Sequence, residues 1–301
     1  MSYKHETGHF QVPLNSTKKG NSDGKELKLF YQRWIPNNVP PKPGCDLVIH
    51  HGLGEHSDRY GNVLSVLEDT GITIYTYDVR GCGRSEGKPG HAEDLFHLAE
   101  DLGVFLEFID KEHKVTKPIL YGNSMGGATV LTFIGVSKEN QERAKAVVAT
   151  GAALGVEKNC YQTTMSGLLS CLRGVVPNVC LDAGLDNKKL SRDQNVVEAF
   201  NGDTMTHPMI AVGLAFSLLE SGRKEIIPTA KTVTLPIFLA HGGADVITDP
   251  KGSEEYYENC ASTKKTLKIY PDLLHEIHNE LKEDKEKVLA DIKQFITENM
   301  S

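Results

Sequence analysis

A serine lies between two glycines in the stretch LYGNSMGGA, residues 120–128. A serine at a sharp turn between a strand and a helix can act as a nucleophile when small neighbours leave room for its strained backbone. Gly122 and Gly126 leave that room here, and Gly127 lets the helix approach the sheet. PILYG before the turn is typical of a buried strand, and GGATVLTFI after it is typical of a helix. The context predicts that Ser124 is a nucleophile and not an ordinary turn residue.

A serine hydroxyl needs a base that removes its proton, and the base needs an acid that orients it. In the α/β-hydrolase fold the acid and then the histidine follow the serine along the chain. HGGADVITDP places Asp245 after an apolar strand, and KIYPDLLHEIHNE places His275 after the next strand. Loops that leave the carboxyl ends of parallel strands are where open sheets build sites. The sequence therefore predicts Asp245 as the acid and His275 as the base.

Each of these two assignments has an alternative nearby. Asp249 is the other acid, although its place before Pro250 is typical of a helix N-cap. His278 is the other base, although a turn further along the chain a surface helix is expected. Position within the two loops favours Asp245 and His275.

Two backbone N–H groups directed at a developing oxyanion complete such a site. Met125 follows the nucleophile and supplies one of them. The other is expected from the loop HHGLGEHSDRY, in which Gly52 opens the backbone and Leu53 is the predicted donor. The three histidines of this loop raise the alternative of a metal site. No carboxylate-rich motif accompanies them, so the sequence predicts no metal.

The elements that position these residues alternate along the chain. Short apolar segments predict strands at 46–50, 72–78, 118–122 and 146–151, and KELKLFYQRW predicts a strand near an edge. A helix with one apolar face is expected within residues 92–113. Strands that alternate with helices indicate βαβ units and a parallel sheet.

The alternation stops at residue 155 and returns after residue 228. Between them the sequence shows no strong strand pattern and predicts helices and loops. LPIFLAHG, a helix from about Pro250 to Cys260, TLKIY and a last amphipathic helix follow. The prediction is an α/β fold with a mostly parallel central sheet flanked by helices. Residues 1–154 and 229–301 form its core, and residues 155–228 form an inserted helical cap.

Composition excludes several classes of protein. The 301 residues carry a formal charge of -7 and no dense basic run, which argues against nucleic-acid binding. The polar N-terminus has no signal-peptide core, and no window approaches the roughly 18 apolar residues of a membrane span, so a cytoplasmic protein is expected. The six cysteines lack zinc spacing and are predicted to be free thiols. YDVRGCGRSEG lacks the residue order of a phosphate loop, which disfavours a nucleotide enzyme.

Six motifs occur in order from about residue 25 to the C-terminus: HHGLGEHSDRY, YDVRGCGRSEG, GNSMGGA, LSRD, HGGADVITDPKGS and TLKIYPDLLHE. As a set they resemble the monoacylglycerol lipase family of serine hydrolases. The resemblance implies an α/β-hydrolase fold with a helical cap, and hydrolysis of monoacylglycerol to fatty acid and glycerol through an acyl-enzyme without a cofactor. It also implies Ser124, Asp245 and His275 as the triad, with Leu53 and Met125 as oxyanion donors.

The resemblance also places residues near the polar end of the substrate. Asn123 stands where the family usually has histidine; it keeps a donor and an acceptor but has no titratable proton. Catalysis is expected to survive this change, while the head-group preference stays open. Glu55 and Arg59 match family positions near the glycerol end. An i,i+4 ion pair at a helix start is the alternative for these two residues.

The apolar segments of the predicted cap bear on the substrate. GLLSCLRGVVP and PMIAVGLAFSLL have wide apolar faces, so Leu169 and Leu214 are predicted to line an acyl channel, with packing on the core as the alternative. Peripheral contact of the cap with a membrane or lipid-droplet surface would use the same faces. A lysophospholipase, a thioesterase or a general carboxylesterase would carry the same triad. A non-catalytic binding protein is disfavoured because the triad is complete.

Overall fold

The computed structural model describes residues 2–16, 24–155, 172 and 174–300. Ten strands lie within these residues: β1 (Tyr3–Pro13), β2 (Glu26–Pro36), β3 (Asp46–His50), β4 (Thr73–Tyr77), β5 (Ile119–Asn123), β6 (Val147–Thr150), β7 (Cys180–Asp182), β8 (Met209–Ala211), β9 (Ile237–Gly242) and β10 (Lys265–Tyr270). Eight of them form the main sheet, in the order β1–β2–β4–β3–β5–β6–β9–β10.

Nine α-helices lie within the same residues: α1 (Gly61–Leu67), α2 (Leu95–His113), α3 (Met125–Val136), α4 (Lys138–Glu142), α5 (Gln194–Gly202), α6 (Val212–Phe216), α7 (Ile227–Thr229), α8 (Pro250–Asn259) and α9 (Lys282–Glu298). A π-helical stretch, Ser217–Ile226, joins α6 to α7. Short 3₁₀ turns lie at Ser57–Tyr60, Asn187–Lys189, Ala230–Thr232 and Ile277–Asn279.

The sheet is parallel from β4 to β10, and β2 pairs antiparallel with both β1 and β4. This confirms the predicted α/β-hydrolase fold with a mostly parallel sheet. The edge strand β1 has no counterpart in the sequence-based prediction. Most of its side chains remain exposed or half-exposed, and a strand of this kind needs few apolar residues, so it gives no strong pattern.

Two apolar layers cover the two faces of the sheet. Successive residues of one strand point to opposite faces, so Leu120 of β5 packs with α2 and α3 while Tyr121 packs with α1 and α9. Both layers are closed to water, which explains why the central strands are almost wholly apolar in sequence. The carboxyl ends of β5, β9 and β10 are therefore held rigidly at one edge of the core.

Between residues 174 and 228 the chain leaves the main sheet. Besides α5, α6 and the π-helical stretch, it forms a small antiparallel sheet in which β7 pairs with β8. The expectation of helices and loops alone is wrong for these two strands, because three residues each are too few to produce a periodic pattern. Within the described residues, no helix combines the length and apolar character that a bilayer-spanning segment requires.

Candidate active site

Ser124 lies at the junction of β5 and α3 with φ 56° and ψ −120°, a backbone conformation that L-residues avoid. Close backbone approaches surround it. A Cβ on Gly122 would lie 2.2 Å from the carbonyl oxygen of Gly126, and a Cβ on Gly126 would lie 2.1 Å from that of His50. Only glycine fits these two positions without a backbone shift. Ser124 N–H donates to the Thr150 carbonyl at 2.9 Å, which ties the turn to β6.

Two backbone N–H groups beside Ser124 are free to donate. Within the described residues, neither Leu53 N–H nor Met125 N–H has a protein acceptor. Gly52 N–H is taken by Glu55 Oε1 at 2.6 Å. A Cβ on Gly52 would lie 3.3 Å from Ser124 Cβ, so this loop passes directly over the serine. The two free donors therefore lie in the segments that adjoin Ser124.

Asp245 and His275 meet at the carboxyl ends of β9 and β10. His275 Nδ1 donates to Asp245 Oδ2 at 2.7 Å, and both side chains are buried. Because Nδ1 carries the proton of this bond, Nε2 is left as the basic nitrogen. The carboxylate is held by further donors: Thr248 Oγ1 lies 2.9 Å and His241 Nε2 lies 3.2 Å from Oδ2.

The electrostatics of this pair keep Asp245 ionised and make His275 a stronger base. Burial acts to raise the pKa of Asp245, but the imidazoles of His275 and His241 outweigh it, and the pKa lies well below its usual range. Burial acts to lower the pKa of His275, but Asp245 outweighs it and raises that pKa. Asp245 is therefore a carboxylate at neutral pH that stabilises a positive charge on His275.

The two alternative residues make other contacts. Asp249 caps α8, accepting from Lys251 N–H at 3.0 Å, and pairs with Arg223 at 2.7 Å. His278 is buried and stacks on Tyr60 with ring centroids 5.4 Å apart. The expected surface position of His278 is wrong, because the chain turns back toward the core in the 3₁₀ turn Ile277–Asn279 and does not begin a surface helix there.

A buried ion cluster lies beside the serine. Arg59 Nη1 is 2.7 Å from Glu55 Oε2 and 2.7 Å from Glu276 Oε1, and Arg59 Nη2 donates to Glu276 Oε2 at 2.9 Å. The i,i+4 ion pair that the sequence left as an alternative is thus formed. Glu276 is absent from the sequence-based set of site residues. Its place directly after His275 is the signal that could have found it.

Comparison with known proteins identifies the family. Residues 41–282 match the Hydrolase_4 family, described as serine aminopeptidase, S33. The chain belongs to this S33 family of serine hydrolases.

Individual relatives are similar to this protein over most of its length. It is 29% identical over 275 residues to the monoacylglycerol lipase of Mycolicibacterium smegmatis, covering 91% of this chain and 94% of that protein. It is 28% identical to the human monoglyceride lipase, covering 92% and 89%. It is also 30% identical to an uncharacterized abhydrolase domain-containing protein of Dictyostelium discoideum, of which it spans 28% of the length.

Solved structures agree. The monoacylglycerol lipase of Paleococcus ferrophilus superposes with a TM-score of 0.79 at 28% identity, covering 90% of this chain and 99% of that one. A soluble variant of the Saccharomyces cerevisiae monoglyceride lipase, in complex with a substrate analog, superposes with a TM-score of 0.82 at 26% identity, covering 93% and 94%. The S33 family chain is a serine ester hydrolase with the α/β-hydrolase fold.

Three residues predicted to contact substrate have other neighbours or lie outside the structure. Asn123 is 2% exposed, and its Oδ1 accepts from Thr150 Oγ1 at 2.9 Å. Leu214 is 2% exposed and packs in the apolar layer that contains α2 and α3. Leu169 lies outside the described residues. Within the structure, Asn123 and Leu214 thus contact protein.

Residues 189–192 hold the loop that carries His275. The carbonyl of Leu190 accepts from Glu276 N–H at 2.7 Å. Arg192 Nε donates to Glu280 Oε2 at 2.9 Å, and Glu280 Oε1 accepts from Leu274 N–H at 2.9 Å. The motif LSRD therefore supports the histidine loop, a role that its residue types alone do not reveal.

The three histidines near residue 50 contact backbone groups and one carboxylate. His50 Nδ1 donates to the His51 carbonyl at 3.0 Å, and His51 Nε2 accepts from Val79 N–H at 2.8 Å. His56 Nε2 lies 2.7 Å from Asp203 Oδ2. Across the described part of the chain, no group of three or more His, Cys, Asp and Glu residues is arranged to hold a metal ion.

Proposed function

We propose that Ser124, His275 and Asp245 form a catalytic triad that hydrolyses lipid esters, with monoacylglycerol as the substrate. The observation that carries the proposal is the 2.7 Å hydrogen bond between His275 Nδ1 and Asp245 Oδ2, at the edge of the sheet where Ser124 lies on its strained turn. A buried acid–base pair beside such a turn is the arrangement that activates a serine.

The reaction follows from the positions of these groups. His275 Nε2 takes the proton of Ser124 Oγ as Oγ bonds to the ester carbonyl carbon. The N–H groups of Leu53 and Met125 donate to the oxyanion. When this intermediate collapses, the bond to the glycerol oxygen breaks, and that oxygen takes the proton from His275. A water molecule then repeats the sequence on the acyl-enzyme, which releases fatty acid and restores Ser124 Oγ–H.

The substrate class is supported by the relatives. Several proteins named monoacylglycerol or monoglyceride lipase are 26–29% identical and align over about nine-tenths of both chains. A second candidate is phospholipase activity, since a Bacillus subtilis protein named Phospholipase YtpA is 23% identical over 79% of this chain. Glycerol and phosphate-bearing head groups differ in charge, so the two candidates predict different substrate rankings.

Residues 155–228 form a cap over the triad in this proposal. Its described part crosses the site loops: His207 N–H donates to the Gly54 carbonyl at 2.9 Å, and Leu190 contacts the loop of His275. Four of the seven exposed large apolar residues in the described ranges fall within one stretch of eleven residues of the cap: Val175, Val179, Leu181 and Leu185. Exposed apolar side chains concentrated in one segment favour peripheral contact of the cap with a lipid surface.

One experiment tests the function directly. Purified protein is assayed against monoacylglycerol, triacylglycerol, lysophospholipid and nitrophenyl esters, compared by kcat/KM, with Ser124→Ala as the inactive control. Monoacylglycerol is expected to give the highest value, and a fluorophosphonate is expected to label wild type but not the variant. A higher kcat/KM for lysophospholipid would favour the second candidate. Labelling and turnover that survive Ser124→Ala would refute the triad.

A further inference from the structure

The ion cluster of Glu55, Arg59 and Glu276 contains two carboxylates and one guanidinium. Burial acts to raise the pKa of Glu276, but Arg59 outweighs it and the pKa falls to about 2. His278 and Tyr60 adjoin the cluster; burial lowers the pKa of the histidine and raises that of the tyrosine, so both are neutral at pH 7. Both oxygens of Glu55 accept hydrogen bonds, from Gly52 N–H at 2.6 Å, Tyr60 O–H at 2.9 Å and Arg59 Nη1 at 2.7 Å, which is the pattern of a carboxylate. Two carboxylates facing one guanidinium give the cluster one net negative charge.

This charge is close to the reacting serine. A Cβ on Gly52 would lie 2.8 Å from Glu55 Oε1 and 3.3 Å from Ser124 Cβ, so carboxylate and serine adjoin the same glycine. Glu276 directly follows His275, and its charge, with that of Glu55, contributes to the raised pKa of His275 after the larger effect of Asp245. A charge on the alcohol part of an ester bound at Ser124 would therefore interact with the cluster at short range.

The cluster is also poorly screened by water. Glu55 is 4% and Glu276 is 3% exposed. The ring of Phe200, on helix α5, lies over the Arg59 guanidinium with 4.6 Å between Cζ and the ring centroid. Charges act more strongly on one another where water is excluded, because the local dielectric is lower. The negative charge therefore acts on a bound substrate with little attenuation by solvent.

We propose that Glu276, through the net negative charge of its cluster with Arg59 and Glu55, determines specificity by repelling esters whose alcohol part is anionic. Uncharged alcohol parts such as glycerol are accepted, and a phosphate monoester on the glycerol is disfavoured. The inference rests on the proposed function, because it assumes that Ser124 is the nucleophile and that a glycerol ester is the substrate.

Glu276 is the residue to change. Glu55 accepts from Gly52 N–H, so its replacement would disturb the loop over the serine. Glu276→Gln keeps the shape and removes one charge. Substrates are monobutyrylglycerol and monobutyrylglycerol phosphate, which are short enough to stay monomeric. Wild type is expected to prefer the uncharged ester, and Glu276→Gln is expected to raise the phosphate-to-neutral ratio of kcat/KM about tenfold. Arg59→Gln is expected to lower that ratio.

Two controls accompany the variants. Glu286→Gln removes the same charge from an exposed position on α9 and is expected to leave the ratio unchanged. Wild type is the second control: its kcat/KM is expected to be higher on the uncharged ester, and this comparison decides the matter if the cluster variants fail to fold. A folded Glu276→Gln with an unchanged ratio would overturn the inference.

The outcome also separates this inference from the proposed function. Equal wild-type kcat/KM for the two glycerol esters would leave the proposed function intact and overturn the charge selection. Hydrolysis of nitrophenyl butyrate without hydrolysis of either glycerol ester would overturn the proposed function, and the charge selection with it.

Discussion

The turn that carries Ser124 and the loop that carries His275 are held in different ways. The turn is held by backbone: glycines 122 and 126 admit carbonyl groups at distances that no side chain tolerates, and β6 fixes Ser124 N–H. The loop is held by residues distant in sequence: the Leu190 carbonyl accepts from Glu276 N–H, and ion pairs join Arg192 to Glu280 and Arg59 to Glu276. We therefore expect a substitution in the turn to cause an abrupt loss of activity, and the loss of one contact of the loop to cause only a graded loss.

The largest expected effect comes from removing the reacting groups themselves. Ser124→Ala and His275→Ala should each lower kcat by roughly 10⁴ to 10⁶, because triad members act as a unit. The measurement is kcat on nitrophenyl butyrate. His278→Ala is the matched control and should remain far more active than either variant. If His278→Ala lost activity while His275→Ala kept it, His278 would be the base.

Asp245→Asn should come next, with a loss of about 10⁴ in kcat or somewhat less. The carboxylate raises the pKa of His275, so its removal should lower that pKa. The base must be unprotonated to act, so kcat/KM falls as the pH drops through the pKa of His275. The acidic limb of the kcat/KM profile should therefore move to lower pH in the variant. An unmoved limb would show that Asp245 does not act on the base.

Gly126→Ala tests the abrupt failure expected of the turn. The added Cβ would meet the His50 carbonyl oxygen at 2.1 Å, so the backbone must shift. Overpacking of this kind destabilises by about 1–3 kcal/mol, and kcat should fall about 100-fold because the serine and the N–H donors no longer align. Denaturant unfolding and kcat are measured together. Gly61→Ala is the control, because a Cβ there meets open space, and it should lower neither stability nor kcat. A Gly126→Ala variant with unchanged kcat would contradict the abrupt loss expected of the turn.

Arg192→Gln should produce the smallest effect and tests the graded loss expected of the loop. Its pair with Glu280 is partly exposed, and Glu280 keeps its bond to Leu274 N–H, so kcat should fall only about tenfold with KM nearly unchanged. Lys188→Gln, an exposed change in the same segment, is the control. A loss as large as that of Asp245→Asn would mean that the loop is as intolerant as the turn.

Much of the fold follows from the sequence, because its signals are local. The central strands are apolar runs bounded by turns, α2 has one apolar face, and the glycines around Ser124 mark a strand–turn–helix junction. Each signal depends on neighbouring residues and on backbone sterics. The edge strand β1 could not be predicted because it lacks an apolar face. The strands β7 and β8 could not be predicted because they are too short to show a periodic pattern.

Residue patterns were enough to predict the α/β class, the succession of the core strands along the chain and the positions of Ser124, Asp245 and His275 on loops at the ends of strands. Their catalytic roles remain predictions. Only the folded structure shows that His278 is buried against Tyr60, that Arg59 contacts Glu276 across 217 residues and that Arg192 contacts Glu280 across 88. Periodicity and backbone sterics act between neighbours in the chain and leave a pattern there. An ion pair between distant segments leaves none, because its geometry exists only once the sheet has brought the loops together.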